Sequence, residues 1–349
     1  AMLEMYADFF DAYETTASEV AGVDFEARAG KEPVKFNIAR IAIAPFANGV
    51  MEGFSLEGFK LDVTGPKAGS MNFGSFGFKA IDFKPFSAGI ARMGATPPEQ
   101  YLAANWRDVL PNFSGFFLKG FAMDAPDNKR PDARIKFTLG NFDLALAKHV
   151  LGIPTDIALT ASDATLDLAA TRDPNFAPAI AIGYNMLKAS HSLRLMWDEA
   201  SKSLRLSDSL QMPDVANLAL EATVANVPAE LFGKDLAMMQ VAALGATAKD
   251  AKLTISNLGV YERVLGMLAQ QQRSTPDALK QQFGGMAQMM LPQFLGGSPS
   301  VLALSQAIGK FAQNGKTITI VATSKNPGGI GLPDAMAISS PQELLEQVE

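Results

Sequence analysis

The sequence predicts an α+β fold with long, curved antiparallel β-sheets, rich in meanders, that are covered mainly by helices from the C-terminal third. Two observations carry this prediction. Apolar residues alternate with small or polar residues up to about residue 226, as in strands with one buried face. From about residue 228, apolar residues recur at helical spacing. Runs of strands followed by runs of helices are typical of α+β proteins.

Four predicted strands share one cadence, apolar-x-apolar-x-[Gly or Asn]-apolar-x-apolar, with slips: residues 54–61, 73–81, 116–123 and 137–144. A central Gly or Asn is typical of a bend or bulge. Short connections favour antiparallel hairpins over parallel βαβ units. Further strands are predicted at 36–43, 157–160, 164–168, 193–197, 203–206 and 218–224.

Helices are predicted near the start of the chain and throughout its end. Residues 2–20 carry apolar side chains spaced for one helical face, and residues 97–110 follow Thr96 as a candidate N-cap. We expect one continuous unit, 1–349, strand-rich from about 23 to 226 and helix-rich from about 228 to 349. In that last part, helices are predicted at 228–243, 259–272, 276–291, 298–313 and 341–348, and strands at 251–256 and 316–322.

Composition narrows the function classes. The 349 residues are 48% apolar but only 19% charged, and 23 Phe greatly outnumber 5 Tyr and 2 Trp. Phe has no polar group, so this bias suits dry interiors or apolar grooves. The net charge of −6 and the lack of basic runs argue against a nucleic-acid partner. The absence of Cys excludes disulfides and thiolate chemistry, and it fits an oxidising compartment.

Candidate catalytic and phosphate-binding motifs fail on spacing. The sequence Gly315-Lys-Thr lacks the upstream glycine of a phosphate loop, because position 310 is Lys. We interpret Gly315 as a helix C-cap. Residues 328–331 read as a turn. His149 and His191 lack metal-ligand spacing and read as structural or surface residues, although a long-range His–carboxylate pair stays open. We therefore expect no enzyme, no metal and no cofactor.

Methionines on the predicted C-terminal helices form a second apolar signal. Met286 and Met290 lie near Phe283 and Phe294, and Gly284 would let helices hinge or pack closely. Flexible thioethers suit pockets for variable apolar ligands. The alternative is that these methionines fill a helical core.

The strand cadence resembles the repeats of bacterial envelope proteins of the AsmA/TamB kind and their smaller periplasmic relatives. Residues 252–265, 274–279 and 341–345 resemble secreted proteobacterial proteins. Such relatives handle phospholipids or other hydrophobic molecules between membranes. This chain is shorter than the large members and has a helical last third, which favours a compact binding or carrier protein. The resemblance supplies no catalytic residue.

These observations together predict a periplasmic, non-catalytic binding or carrier protein for a lipid or another apolar ligand, with inner- or outer-membrane proteins as further partners. Ala1-Met2 looks like a cloning remnant, so we expect a removed signal or anchor segment. The alternatives are a structural or interaction module of the envelope without a ligand cavity, and a hydrolase with dispersed carboxylates. The predicted ligand-binding residues are Phe59, Phe78, Phe116, Phe121, Phe137, Phe142, Met286 and Met290.

Overall fold

The structure is a computed structural model that describes residues 5, 8–9, 12–29, 32–94 and 96–349. The chain forms two compact units. Unit 1 contains Ala1–Pro174 with Phe232–Leu236, and unit 2 contains Asn175–Leu231 with Ala237–Glu349. Long antiparallel strands dominate to residue 225 and most helices follow, so the predicted α+β class is confirmed. That the two units act as one continuous body stays a prediction.

Unit 1 contains a large and a small antiparallel sheet. Its strands are β1 (Ser18–Ala29), β2 (Glu32–Ile43), β3 (Phe46–Ala47), β4 (Val50–Met51), β5 (Phe54–Val63), β6 (Gly69–Phe78), β7 (Ile81–Asp82), β8 (Asn112–Phe113), β9 (Gly115–Asp127), β10 (Arg130–Val150) and β11 (Ile153–Asp167). The large sheet has the order β1-β2-β5-β6-β9-β10-β11, and the small one the order β3-β4-β7-β8. Most neighbours in the large sheet follow each other closely in the chain, as expected for meanders.

A transverse line of residues interrupts the pairing of all seven large strands. On β1, β5, β9 and β11 the residue on this line has a φ of 69°, 65°, 62° and 55°, the left-handed region that Gly and Asp tolerate best. The line therefore depends on glycine and on one aspartate. We call it the crease, and its residues are Gly22, Ala39, Gly58, Gly74, Gly120, Gly140 and Asp163.

The crease shifts the apolar alternation by one residue. On β6, Phe73 and Phe76 flank Gly74, and their ring centroids lie 6.3 Å apart in an edge-to-face contact. In an unbroken strand, residues three apart would point to opposite faces. The crease instead returns both rings to one face. The slips in the alternation that the sequence shows are therefore the consequence of this bend.

The strand predictions need correction at several points. The expected bend at the central Gly or Asn occurs at Gly58 and Gly120. It does not occur at Gly77 and Asn141, which pair regularly with both neighbouring strands, and the bend lies instead at Gly74 and Gly140. The strands predicted at 157–160 and 164–168 form the single strand β11, which continues through its left-handed Asp163.

The predicted helix at 2–20 is wrong at its C-terminal end. Residues 18–20 begin β1, where Val20 pairs with Ile41 across the ladder. Long-range pairing overrides the local helical spacing there. Residues 1–4, 6–7 and 10–11 of that prediction lie outside the described residues.

The helices of unit 1 lie beyond the strand ends: α1 (Lys84–Met93), α2 (Pro98–Asn105), a 3₁₀ turn (Trp106–Val109) and α3 (Leu168–Thr171). The helix predicted at 97–110 is confirmed as α2 plus the 3₁₀ turn, but the predicted N-cap Thr96 is wrong, because Pro97 occupies the N-cap position and no side chain caps the helix. Helix α1 was not predicted. Ile90 and Met93 of α1 are buried. At the opposite end of the strands, fully buried Leu168 belongs to α3, which packs on β10.

Unit 2 combines six strands with most of the helices. Its strands are β12 (Met186–Asp198), β13 (Ser203–Met212), β14 (Ala216–Ala225), β15 (Thr247–Asn257), β16 (Thr317–Thr323) and β17 (Ile330–Gly331). They pair antiparallel in chain order from β12 to β16, and β17 pairs with β15. The helices are α4 (Ala177–Ala181), α5 (Leu236–Gly245, whose first residue is grouped with unit 1), α6 (Val260–Gln272), α7 (Pro276–Leu295), α8 (Pro299–Asn314), α9 (Leu332–Ala337) and α10 (Pro341–Gln347).

Helix α7 packs tightly on α8. Ser298 caps α8 by accepting a hydrogen bond from the Val301 N–H at 3.3 Å, and Gly315 ends α8 with a φ of 64°, so both predicted caps are confirmed. A Cβ placed on Gly309 would lie 2.8 Å from the Gln288 side chain, which shows how closely the helices approach. Small residues at this contact permit that approach.

The crease makes a matched pair of substitutions informative. Gly58→Ala is expected to destabilise the protein by about 2–3 kcal/mol. Of this, about 1 kcal/mol is left-handed strain, and the rest comes from contact with the Ala39 Cβ, 2.7 Å from the new methyl group. Gly22 also has a left-handed φ, but a Cβ added there would have no atom within 4 Å. Gly22→Ala should therefore destabilise the protein by only about 1 kcal/mol. Urea denaturation of both variants measures the difference, and equal losses would contradict this account of the crease.

Candidate functional site

One face of the large sheet in unit 1 is apolar on every strand. Cross-strand pairs place apolar side chains opposite one another, for example Leu61 with Met71 and Phe76 with Leu118. We call this surface the aromatic face. The six predicted ligand-binding phenylalanines of unit 1 all belong to strands of this sheet, and the register and the crease place them on the aromatic face: Phe59, Phe78, Phe116, Phe121, Phe137 and Phe142.

The rings on the aromatic face contact each other across the strands. Phe59 stacks on Phe73 with ring centroids 4.7 Å apart and an interplanar angle of 11°. Phe116 stacks on Phe142 at 5.3 Å. Such pairs contribute about 0.5–1.5 kcal/mol beyond area burial. The rings therefore stabilise one another sideways, along the plane of the sheet.

The aromatic face is not a closed core. None of its rings is fully buried, and Phe25 and Phe78 are 52% and 38% exposed. In the part of unit 1 that the structure describes, α1 and α2 pack on the 3₁₀ turn, and α3 packs on β10. At one end Phe113 of the small sheet meets Phe78 edge-to-face at 5.9 Å. An exposed apolar surface of this extent is typical of a binding surface.

The opposite face of the same sheet carries ion pairs. Arg40 donates to both carboxylate oxygens of Glu57, at 2.8 and 3.1 Å, and to Glu19 at 2.9 Å. The Arg40 hydrogen bonds hold the pKa of Glu57 below its ordinary value. Lys79 pairs with Asp143 at 2.7 Å. The sheet therefore has one apolar face and one charged face.

The predicted methionines lie in unit 2, on α7. Met286 and Met290 are 41% and 40% exposed, and Met289 is more exposed still. The alternative that they fill a helical core is wrong. The helical core instead contains Leu265, Ala269 and Leu279, with Phe283 packed against it. The methionines thus form an exposed apolar stripe on α7.

A cleft of about 630 Å³ lies in unit 1 where strands of the large sheet begin and end. Phe78 is the one predicted ligand-binding residue in its lining, together with residues that sequence reasoning missed. These include Arg40, Glu52, Lys79 and Phe117. Single charged residues on separate strands give no local sequence signal, because only the register brings them together.

The structure brings together the His–carboxylate pair that the sequence left open. His191 Nε2 lies 2.5 Å from an Asp208 carboxylate oxygen across β12 and β13. Sequence analysis did not identify Asp208, although the pattern of β13 could have indicated it. Asp208 occupies an alternating position with Leu204, Leu206 and Leu210, where the other residues are apolar. The other histidine, His149, bonds through Nε2 to the Phe113 carbonyl at 3.1 Å, a structural contact.

Two aspartates of the β9–β10 hairpin pair with arginines. Asp124 pairs with Arg134 at 2.6 Å and Asp127 with Arg130 at 2.8 Å. A hydrogen bond from the Lys129 backbone N–H, followed by Arg130, lowers the pKa of Asp127. These pairs close the hairpin.

Comparison with known proteins adds little about function. A family model described as "Uncharacterized protein" matches residues 209–349, less than half of the chain. No curated protein matches the chain. In the described residues, no helix combines the length and the apolar composition needed to cross a membrane.

The Arg40–Glu57 pair predicts a specific pH dependence of stability. Because the folded pKa of Glu57 is lowered, its contribution is present above the unfolded value of about 4.3 and is lost as pH falls through the folded pKa. Glu57→Gln should therefore be less stable than wild type at pH 6, with a gap that narrows towards pH 3. Urea midpoints across this range measure the gap, and a gap that is constant with pH would contradict the assignment.

Proposed function

We propose that this protein is a non-catalytic binding or carrier protein for a lipid or a similar apolar molecule, and that acyl chains lie on the aromatic face of unit 1. The observation that carries the proposal is that this face is continuous and apolar on seven strands while its rings remain half-buried or exposed. Exposing such a surface to water is unfavourable, so a bound apolar ligand stabilises it.

The dimensions of the aromatic face suit an acyl chain. Seven strands at a spacing of about 4.8 Å give a width of about 29 Å, and eight residues along each strand give about 27 Å. One leaflet's acyl chain spans about 15 Å, half of the hydrocarbon core of a bilayer. Burying about ten methylenes contributes about 8 kcal/mol, against an association cost of at least about 4 kcal/mol. Such binding would be exchangeable, as a carrier requires.

We further propose that this activity lies in the periplasm, the location that the resemblance of the strand pattern to AsmA/TamB-like proteins suggests. The lack of Cys is compatible with that compartment. In this proposal the protein takes up lipid from, or delivers it to, inner- or outer-membrane proteins.

An envelope interaction module is the second candidate. It is favoured by β1, a 12-residue strand at the edge of the large sheet with exposed Val20 and Phe25. A long edge strand can accept another strand. This candidate predicts a co-purifying protein and an aromatic face that binds no lipid.

Site-specific photocrosslinking tests the proposal with a pair of adjacent residues. Phe121 lies on the aromatic face and Ala122 on the charged face, where it pairs with Asn72 and Thr138. A photoreactive phenylalanine at position 121 is expected to crosslink to phospholipid in cells, and one at position 122 is not. Mass spectrometry of the crosslinked protein identifies the adduct.

A third variant locates the site. A photoreactive residue at Met290 reports whether the methionine stripe also contacts lipid. Equal crosslinking at positions 121 and 122, or none at either, would overturn the proposal. Crosslinking at Met290 without crosslinking at position 121 would move the site to unit 2.

A further inference from the structure

The cleft in unit 1 adjoins the end of the aromatic face. Ile43, Phe54 and Phe78 form the last row of this face, in which Ile43 pairs with Phe54 and Phe54 with Phe78. The same three residues line the cleft. Because Ile43 ends β2, Phe54 begins β5 and Phe78 ends β6, a chain lying on the aromatic face can reach the cleft by passing around these strand ends.

A row of small residues on the charged face leaves room in the cleft. Ala42, Ser55 and Gly77 lie directly opposite one another on β2, β5 and β6, with Phe117 next in the row. A Cβ on Gly77 would lie 2.7 Å from the Phe117 ring, so the ring lies over this glycine. The cleft is thus bordered by aromatic and charged side chains rather than filled by them.

The cations at the cleft already have partners. Arg40 is held by Glu57 and Glu19, and Lys79 by Asp143. The Lys119 ammonium lies 5.5 Å from the centroid of the Phe117 ring. Arg40 and Lys79 are therefore already paired with carboxylates, which weakens their attraction for a further anionic group.

Glu52 is the charged group of the cleft that has no ion-pair partner among the described residues. It lines the cleft and its side chain is exposed. Its backbone N–H donates to the Pro45 carbonyl at 3.0 Å, and the next residue, Gly53, accepts from the Ala44 N–H at 3.0 Å. These bonds fix the position of the Glu52 backbone at the mouth of the cleft.

We propose that the cleft binds the polar head of an amphipathic ligand and that this head carries a cationic amine, with Glu52 as its carboxylate partner. This inference rests on the proposed function, since the apolar part of the ligand lies on the aromatic face. A cationic head forms an ion pair with Glu52, and an uncharged head forms none. An anionic head is repelled by Glu52, and the neighbouring cations are already paired.

Three ligands that share a ten-carbon chain and differ in their head group separate the contribution of the head to the affinity from that of the chain. They are decylammonium, 1-decanol and decanoate, each used below its aggregation concentration. Isothermal titration calorimetry is expected to show decylammonium binding about fivefold more tightly than decanol, the upper range for an exposed ion pair, and decanoate binding more weakly than decanol. Glu52→Gln should bring decylammonium and decanol within twofold of each other. Glu26→Gln, an exposed carboxylate paired with Lys35 outside the cleft, should leave the fivefold ratio unchanged.

The outcomes distinguish the two proposals. Equal affinities for decylammonium and decanol in the wild type would overturn the head-group inference, while binding of decanol would still support the proposed function. Absence of binding by all three decyl ligands would overturn both. Binding of ethylammonium as tight as that of decylammonium would show a site for small cations that does not use the aromatic face, and would also overturn the inference.

Discussion

The crease is the constraint on which unit 1 depends. Left-handed residues on alternate strands shift the side-chain alternation in register across the whole sheet. Without that shift, Phe59 and Phe121 would point to the face that carries Arg40 and Glu57, and Lys60 would point to the apolar face. A run of seven strands could then have no single apolar face. Only residues that tolerate positive φ fit well at those four positions, which explains Gly58 and Gly120 in the strand cadence.

The apolar residues of unit 1 are used in two different ways. Ile90, Met93 and Leu168 are buried in small cores at the strand ends. The rings on the sheet are instead half-buried, and each contacts its neighbours sideways. Cross-strand ring pairs contribute to the stability of the sheet without covering it. The same arrangement leaves apolar area for a ligand, so the stability of the sheet and its proposed function rely on the same side chains.

Much of the candidate site could be predicted because a strand's alternation is local. On each strand the phenylalanines occupy the apolar positions of the alternation. Strand pairing then only has to bring these positions onto the same face of the sheet. The methionines show the limit of this reasoning. Helical spacing identified a stripe on α7, but the same spacing describes a buried and an exposed face equally well. Their exposure is decided by which face of α7 packs on α8 and α6, and Gly284 and Phe283 lie on the packed sides.

By itself, the sequence determined the α+β class, the antiparallel strands, the helix caps at Ser298 and Gly315, and the lack of thiol chemistry. Each of these follows from residues within a few positions of one another or from composition. Only the tertiary structure decided that the bend on β6 is at Gly74 rather than Gly77, that His191 meets Asp208, and that Glu52 borders the same cleft as Phe78. These groupings depend on strand register, since neighbours across a sheet can be dozens of residues apart in the chain.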